Sequence, residues 1–374
     1  MRIAVVHNQC LPYRHFLFRA LAARFEIDFF FFNQQPSEVP ADLQATIQRG
    51  YRIPYASAYF IVPGLRRALR RRRYNLIVGG DIGDYNTATA YGVARHTGTP
   101  FVPWSVEWNT IRHPRRLLRR PFEQQMLLHS AGIIVPGVRH IEFLTGRGIP
   151  AQKLRRVPNI VDYEAQPADP AHPLYGRLAP LKSTGTLVCA IGRHVAFKGH
   201  GQLLRAQGRL EQAERDGGAA APHLVIAGNG PLLAQNKALA RRLALRKAIF
   251  IEEFVGDAAK HVIYDLCDIF VLPSTRKRAF EAWGLVCNEA LAHGKPMVVT
   301  TAVGAAGEVV REGINGFIVA DKDIAALASA LGRLSGDPAL RAQFGQGSLS
   351  LRADYAPQVM IDAFSEVIAS CAAP

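Results

Sequence analysis

The sequence predicts an α/β protein of two doubly wound, Rossmann-like domains facing across a cleft. Three observations carry that expectation. A chain of 374 residues is too long for one ordinary domain and suits two of about 150 to 200 residues each. Short β-branched or aromatic runs alternate with helical patterns from end to end, as crossover-connected parallel strands do. A Pro-rich stretch short of apolar periodicity divides that alternation into two series.

In the first series the strands read "RIAVV" (2–6), "IDFFFF" (27–32), "NLIVG" (75–79), "PFVPW" (100–104) and "GIIVP" (132–136). Between the first two, "YRHFLFRALAARF" (13–25) repeats apolar residues at three- and four-residue spacing, a helical period. The interruption is "EAQPADPAHPLYGRLAPLKSTG" (164–185), read as a linker. The second series holds "TLVCAIG" (186–192), "HLVIAG" (223–228), "AIFIEEF" (248–254), "DIFVLP" (268–273), "PMVVT" (296–300) and "GFIVA" (316–320). The expected division is therefore 1–165, a linker over 166–184, 185–352, and a terminal segment 353–374. That segment's helix, "VMIDAFSEVIAS" (359–370), is expected to cross back to the first domain. Ligands of such sheets bind outside the carboxyl ends of the strands.

Hydrophobic residues make up 49% of the chain and charged residues 20%, which excludes a disordered protein. The cysteines (Cys10, Cys189, Cys267, Cys287, Cys371) are odd in number and widely spaced, as reduced thiols of a cytoplasmic protein are. "MRIAVVHNQ" turns polar too soon for a signal peptide, and no apolar run reaches membrane-spanning length. The expectation is a cytoplasmic protein, soluble or peripheral on the inner face of the plasma membrane. Of the net charge of +15, residues 1–160 supply +14, from 23 Lys and Arg against 9 Asp and Glu. The excess gathers in "LRRALRRRRY" (65–74) and "RHPRRLLRRPFEQQML" (112–127). Interleaved Leu suits amphipathic helices on an anionic lipid surface, with a solvated helix face as the plain alternative. No stacking platform or nucleic-acid motif accompanies the charge, so nucleic acid is not expected as a partner.

The chemistry concentrates in "FEAWGLVCNEALAHGKPMVVT" (280–300). A helix starting at Gly284 or Leu285 and stopping at Gly294–Lys295–Pro296 leaves the N–H groups of residues 284–287 free at its mouth, a natural anion site. Glu281 precedes that mouth and Glu289 lies about one turn inside, in an otherwise apolar helix. A buried carboxylate is costly unless something pairs with it. Two readings stand at this point: the two acids flank a diphosphate and accept hydroxyls on either side, or Glu281 is a cap-region carboxylate and Glu289 pairs with a nearby Arg.

The same stretch resembles the E-x7-E signature of family 4 nucleotide-sugar glycosyltransferases, which have the GT-B fold. "GRHVAFKGH" (192–200) resembles that family's G-R…K-G segment and "LVIAGNGP" (224–231) its next strand and glycine turn. "DIFVLPS" (268–274), "GEVVREGINGFIV" (307–319) and "VPNIVD" (157–162) resemble further family elements. The likeness covers about residues 150–320 and is vague over 1–145. It implies that Glu281 contacts donor-sugar hydroxyls, that Glu289 binds the ribose, and that Arg193 and Lys198 neutralise the diphosphate. It also assigns Gly228, Asn229, Phe254 and the helix-mouth residues Gly284, Leu285 and Val286 to nucleotide binding. Preorganised cations and amides would stabilise the charge developing on the departing nucleoside diphosphate.

The first half departs from the family. Its opening loop, "HNQCLPYRHF" (7–16), lacks the paired glycines, and Arg14 is assigned in their place. "PFVPWSVEWNT" (100–110) lacks the family histidine, so Glu107 is assigned to the acceptor or transferred sugar, the alternative being a pair with Arg112 or Arg115. Asp81 and Asp84 follow a strand end and carry no assignment. "DKD" (321–323) reads as a helix cap rather than a metal motif. His194 and His200 lack acidic or Cys partners, so neither a metal nor a cofactor is expected. The implied function is retaining transfer of a sugar from a UDP- or GDP-linked donor to a hydroxyl of a glycan, lipid-linked if the arginines meet membrane. The alternatives are a non-catalytic nucleotide-sugar binder, a phosphorylase or epimerase on the same fold, and a natural-product glycosyltransferase.

Overall fold

In the computed structural model the chain forms two compact units: Met1–Asp162 with Ala356–Pro374, and Tyr163–Tyr355. The structure describes residues 1–32, 35–53, 56–109, 114–252, 256–276 and 279–372, with side chains for all of these except 52–60 and 114–119.

The first unit begins β1 (Arg2–His7), α1 (His15–Arg24), β2 (Glu26–Phe32), β3 (Ala45–Gln48), β4 (Tyr51–Ile53) and β5 (Ala56–Ile61). It continues α2 (Leu65–Leu69), β6 (Leu76–Gly79), α3 (Tyr85–Thr97), β7 (Phe101–Pro103), α4 (Pro114–His129), β8 (Ile133–Val135), α5 (Val138–Thr145) and β9 (Leu154–Arg156). Its sheet runs β3-β2-β1-β6-β7, all parallel. A strand covered on both faces reads as a continuous apolar run, and Val5, Phe29 and Phe31 are at most 2% exposed. Phe18 of α1 packs its ring 5.3 Å from Phe29 and 5.5 Å from Phe31.

The second unit holds α6 (Pro173–Thr184), β10 (Leu187–Ile191), α7 (His200–Arg215), β11 (His223–Ala227), α8 (Leu233–Arg242), β12 (Ala248–Ile251) and α9 (Asp257–Leu266). After these come β13 (Ile269–Leu272), α10 (Val286–Ala292), β14 (Met297–Thr300), β15 (Gly316–Val319), α11 (Ile324–Gly336) and α12 (Pro338–Ser350). The parallel sheet is ordered β12-β11-β10-β13-β14-β15. The chain runs outward from β10 to β12, then returns to the other side of β10 as β13. The switch point of the sheet therefore lies between β10 and β13, the place where sheets of this kind bind ligands outside the strand ends. The last helix, α13 (Pro357–Cys371), belongs to the first unit; Phe364 meets Trp104 edge-on at 5.2 Å and Asp362 pairs with Arg24 at 2.8 Å.

Several elements differ from the sequence reading. The Pro-rich stretch read as a linker contains α6, because Pro173 occupies a first-turn position that needs no N–H, and the His172 side chain accepts the Leu174 N–H at 3.2 Å. The strands β3, β4, β5 and β9 went unread, being three to six residues long with weak alternation. The arginine run supports only a five-residue α2, with Leu65 and Leu69 buried and Arg70–Arg73 beyond its end. All five cysteines are free and buried. Among the described residues no helix is long and apolar enough to cross a membrane.

Candidate active site

The loops leaving β10 and β13 meet at the switch point because glycine lets their backbones touch. Gly199 has φ +71, and a Cβ there would sit 1.8 Å from the Pro273 carbonyl oxygen. The Thr275 N–H then donates to the Phe197 carbonyl at 2.7 Å, which ties the "GRHVAFKGH" loop to the end of β13. Gly228 has φ +137, and its hypothetical Cβ would lie 2.4 Å from the Gly192 carbonyl oxygen. The His194 N–H donates to the Asn229 carbonyl at 2.9 Å, stitching the turn after β11 to the same loop.

That scaffold places Lys198 against Glu281. Lys198 Nζ lies 2.5 Å from Glu281 Oε2, and Ser274 Oγ donates to the same oxygen at 3.3 Å. The side chains of Lys198 and Glu281 are 14% and 13% exposed, so the pair is largely withdrawn from water. Glu281 itself is in a loop, bridged to Val303 and anchored by the Gly304 N–H to its carbonyl at 3.0 Å. Arg193 and Asn229 stand exposed in the two loops joined by the His194–Asn229 hydrogen bond, and no hydrogen bond or ion pair holds the Arg193 guanidinium among the described residues. His194 and His200 pack ring to ring at 4.4 Å, and burial together with the charges of His194 and Lys198 lowers His200 to about 3.

Glu289 is 5% exposed in the first turn of α10, and both its oxygens are held from α9. Oε1 takes Lys260 Nζ at 2.9 Å and Oε2 accepts the Tyr264 hydroxyl at 2.9 Å. Burial works against the Lys260 ammonium, yet Glu289 and Asp257 hold it above its ordinary value. Burial, with the Glu289 charge, pushes the Tyr264 phenol far upward. The partner of Glu289 is thus a lysine and a tyrosine where an arginine was one of the two expectations. Lys260 and Tyr264 went unread; their signal was the i, i+4 spacing of "KHVIY", which puts both on one face of α9.

The helix mouth is tighter than expected. The helix starts at Val286, and the Cys287 N–H closes a turn onto the Gly284 carbonyl at 2.8 Å, so residues 284–286, not 284–287, are the candidate donors. Trp283 is 2% exposed and donates to Asn288 Oδ1 at 3.1 Å, which fixes the approach to that turn.

In the first unit Arg14 is only 5% exposed and is turned inward. It donates to Asn159 Oδ1 at 2.5 Å and to Met360 Sδ at 3.5 Å, and lies 4.5 Å over the Trp104 ring. Its guanidinium is engaged with "VPNIVD", α13 and the Trp104 ring. Glu107 is buried at 6% exposure, and its N–H donates to Ser105 Oγ at 3.4 Å. Arg112, the Arg115 side chain and Phe254 lie outside the described residues. Asp84 caps α3 by accepting the Asn86 N–H at 2.8 Å, and Asp323 caps α11 through the Ala326 N–H at 2.8 Å. Asp321 pairs with Arg276 at 2.7 Å, so both acids of "DKD" are occupied structurally.

Comparison with known proteins bears on family and fold. The family model for glycosyl transferases group 1 matches residues 179–349. The D-inositol 3-phosphate glycosyltransferase of Frankia alni is 30% identical over 280 residues, 71% of this chain and 67% of that protein. The lipopolysaccharide core biosynthesis glycosyltransferase LpsD of Rhizobium meliloti is 28% identical over 201 residues, 54% of each chain. The chain spans between 15% and 67% of the length of the first curated relatives it matches. Among solved structures, Anabaena HepE in complex with UDP superposes with a TM-score of 0.79 at 17% identity, over 99% of this chain and 100% of that one. The fold is therefore GT-B, two Rossmann-like domains with parallel sheets. With acids and cations gathered at the switch point of the second sheet, and a relative matched across two thirds of its length, the chain belongs to the group 1 glycosyl transferases.

Proposed function

We propose that the chain is a retaining, metal-independent glycosyltransferase of family 4 that moves a sugar from a nucleoside-diphosphate donor to a hydroxyl of a glycan or glycolipid acceptor. The observation that carries this reading is the Lys198–Glu281 pair, with Arg193 exposed in the same loop as Lys198, at the carboxyl ends of β10 and β13. An acid that can accept sugar hydroxyls and cations that can neutralise a diphosphate stand where a doubly wound sheet binds ligands. Glu289 accepts the ribose hydroxyls, and the amides of Gly284, Leu285 and Val286, with Gly228 and Asn229, approach the nucleotide. Glu107, in the loop after β7, is the first-unit residue assigned to the acceptor side.

The acceptor hydroxyl attacks the anomeric carbon on the face the phosphate leaves. The new C–O bond forms as the C1–O(phosphate) bond breaks, and the departing diphosphate takes the hydroxyl proton. Arg193 and Lys198 stabilise the charge growing on that oxygen. The likeness to the lipopolysaccharide core biosynthesis glycosyltransferase LpsD favours surface polysaccharide or glycolipid synthesis. A cytoplasmic position against the inner membrane face is supported by α2. Leu65 and Leu69 anchor it while Arg66, Arg67, Arg70, Arg71 and Arg73 are exposed without ion-pair partners among the described residues.

A panel of UDP-, GDP-, dTDP- and ADP-sugars read by thermal shift tests the donor site, since a bound ligand stabilises with its affinity and concentration. One nucleoside diphosphate should raise the melting temperature in the wild type and not in Glu289→Ala, and free diphosphate should appear only when an acceptor is added. No shift from any of the four would refute the reading.

A further inference from the structure

A carboxylate at 5% exposure needs a counter-charge and a fixed orientation, and Glu289 takes both from α9. Lys260 and Tyr264, one helical turn apart, bind one oxygen each at 2.9 Å. Neither is free to wander. The Tyr264 ring is fully buried, stacked on His293 at 5.3 Å, and its hydroxyl also lies 3.2 Å from the Val286 carbonyl. The Lys260 ammonium sits 3.4 Å from Asp257 and 6.0 Å over the Tyr163 ring. An ionised carboxylate offers about four acceptor positions. Two are filled from the α9 side, which leaves capacity on the other side for a pair of hydroxyls.

We infer that Lys260 and Tyr264 are positioning residues that hold Glu289 oriented to accept the ribose diol, so that α9 sets the affinity for the nucleotide without touching it. This rests on the donor-site reading above. The charged and titratable groups around the carboxylate are Asp257, Lys260 and Tyr264 on α9, Tyr163 ahead of α6, and Cys287 on α10.

The test uses the full chain and four proteins: wild type, Lys260→Met, Lys260→Arg and Tyr264→Phe. UDP and GDP are titrated by calorimetry, and the bound nucleotide's sugar donor is then followed kinetically. Lys260→Met should weaken nucleotide binding and raise the donor KM about tenfold, the loss of one charge-assisted hydrogen bond. The kcat should stay within about threefold, because the interaction is uniform between ground and transition state. Lys260→Arg should restore most of the affinity. Tyr264→Phe keeps the ring packing and should weaken binding about threefold, so it carries the test if Lys260→Met melts too low to titrate. Wild-type binding of UDP or GDP with unchanged affinity in Lys260→Met or in Tyr264→Phe overturns this inference alone. Wild-type binding of neither nucleotide overturns the donor-site reading and this inference with it.

Discussion

Lys198→Met removes a cation while keeping most of the side chain's length and apolar stem. In the wild type, Glu281 has that cation at 2.5 Å and a hydroxyl at 3.3 Å, with its own side chain 13% exposed. Stripping one partner from a buried ion pair costs about 3–5 kcal/mol. Residual water access and the Ser274 hydroxyl discount that, so the expected loss is about 2 kcal/mol. In a body the size of the second unit this lowers the melting temperature by roughly 4–8 °C. The larger effect is on turnover: losing one preorganised donor to the leaving oxygen costs about 10²–10³ in kcat. Calorimetric melts, with single-turnover measurement of diphosphate release under saturating donor, read both quantities. A variant that turns over within threefold of wild type refutes the role given to Lys198. A variant that melts within about 1 °C of wild type refutes the electrostatic account of the pair.

Two further outcomes follow from the same coordinates. His200 is 3% exposed and held at about 3 against an ordinary 6.5, by burial first and then by its cationic neighbours. The unfolded chain therefore binds a proton the folded one refuses, and stability falls as pH drops from about 6.5 toward 3. At pH 5 this amounts to about 2 kcal/mol, so urea melts of His200→Asn should lose less stability between pH 7 and 5 than wild type; equal losses would refute it. Replacing Arg66, Arg67, Arg70 and Arg71 with Gln should leave the melting temperature within about 2 °C, since exposed unpaired charges contribute little. The same replacement should abolish sedimentation with phosphatidylglycerol vesicles in low salt. Unchanged sedimentation would remove the membrane from the proposal.

Much of this molecule is legible in one dimension. Runs such as "RIAVV" and "TLVCAIG" announce buried parallel strands because strands covered on both faces admit only apolar side chains. The stretch from Glu281 to Glu289 is legible because a carboxylate such as Glu289 in an apolar helix is conspicuous. The boundaries went less well. Pro173 looked like a breaker yet opens α6, since proline is welcome in a first turn, and Cys287's N–H went to a tight turn that residue type does not reveal. Arg14 was assigned in place of the missing glycines of its loop, and only the packing of α13 against the first sheet shows it enclosed by Trp104, Asn159 and Met360.

The sequence alone determined the alternating α/β plan, the two series and the candidate acids and cations, because each depends on a short local period or a residue's own chemistry. The tertiary structure alone decided which of them meet. Lys198 reaches Glu281 across 83 positions, and Lys260 reaches Glu289 across 29, because β13 returns to lie beside β10 instead of extending the sheet past β12. Strand order is a property of the whole sheet, settled by burial and crossover geometry, and no local pattern encodes it.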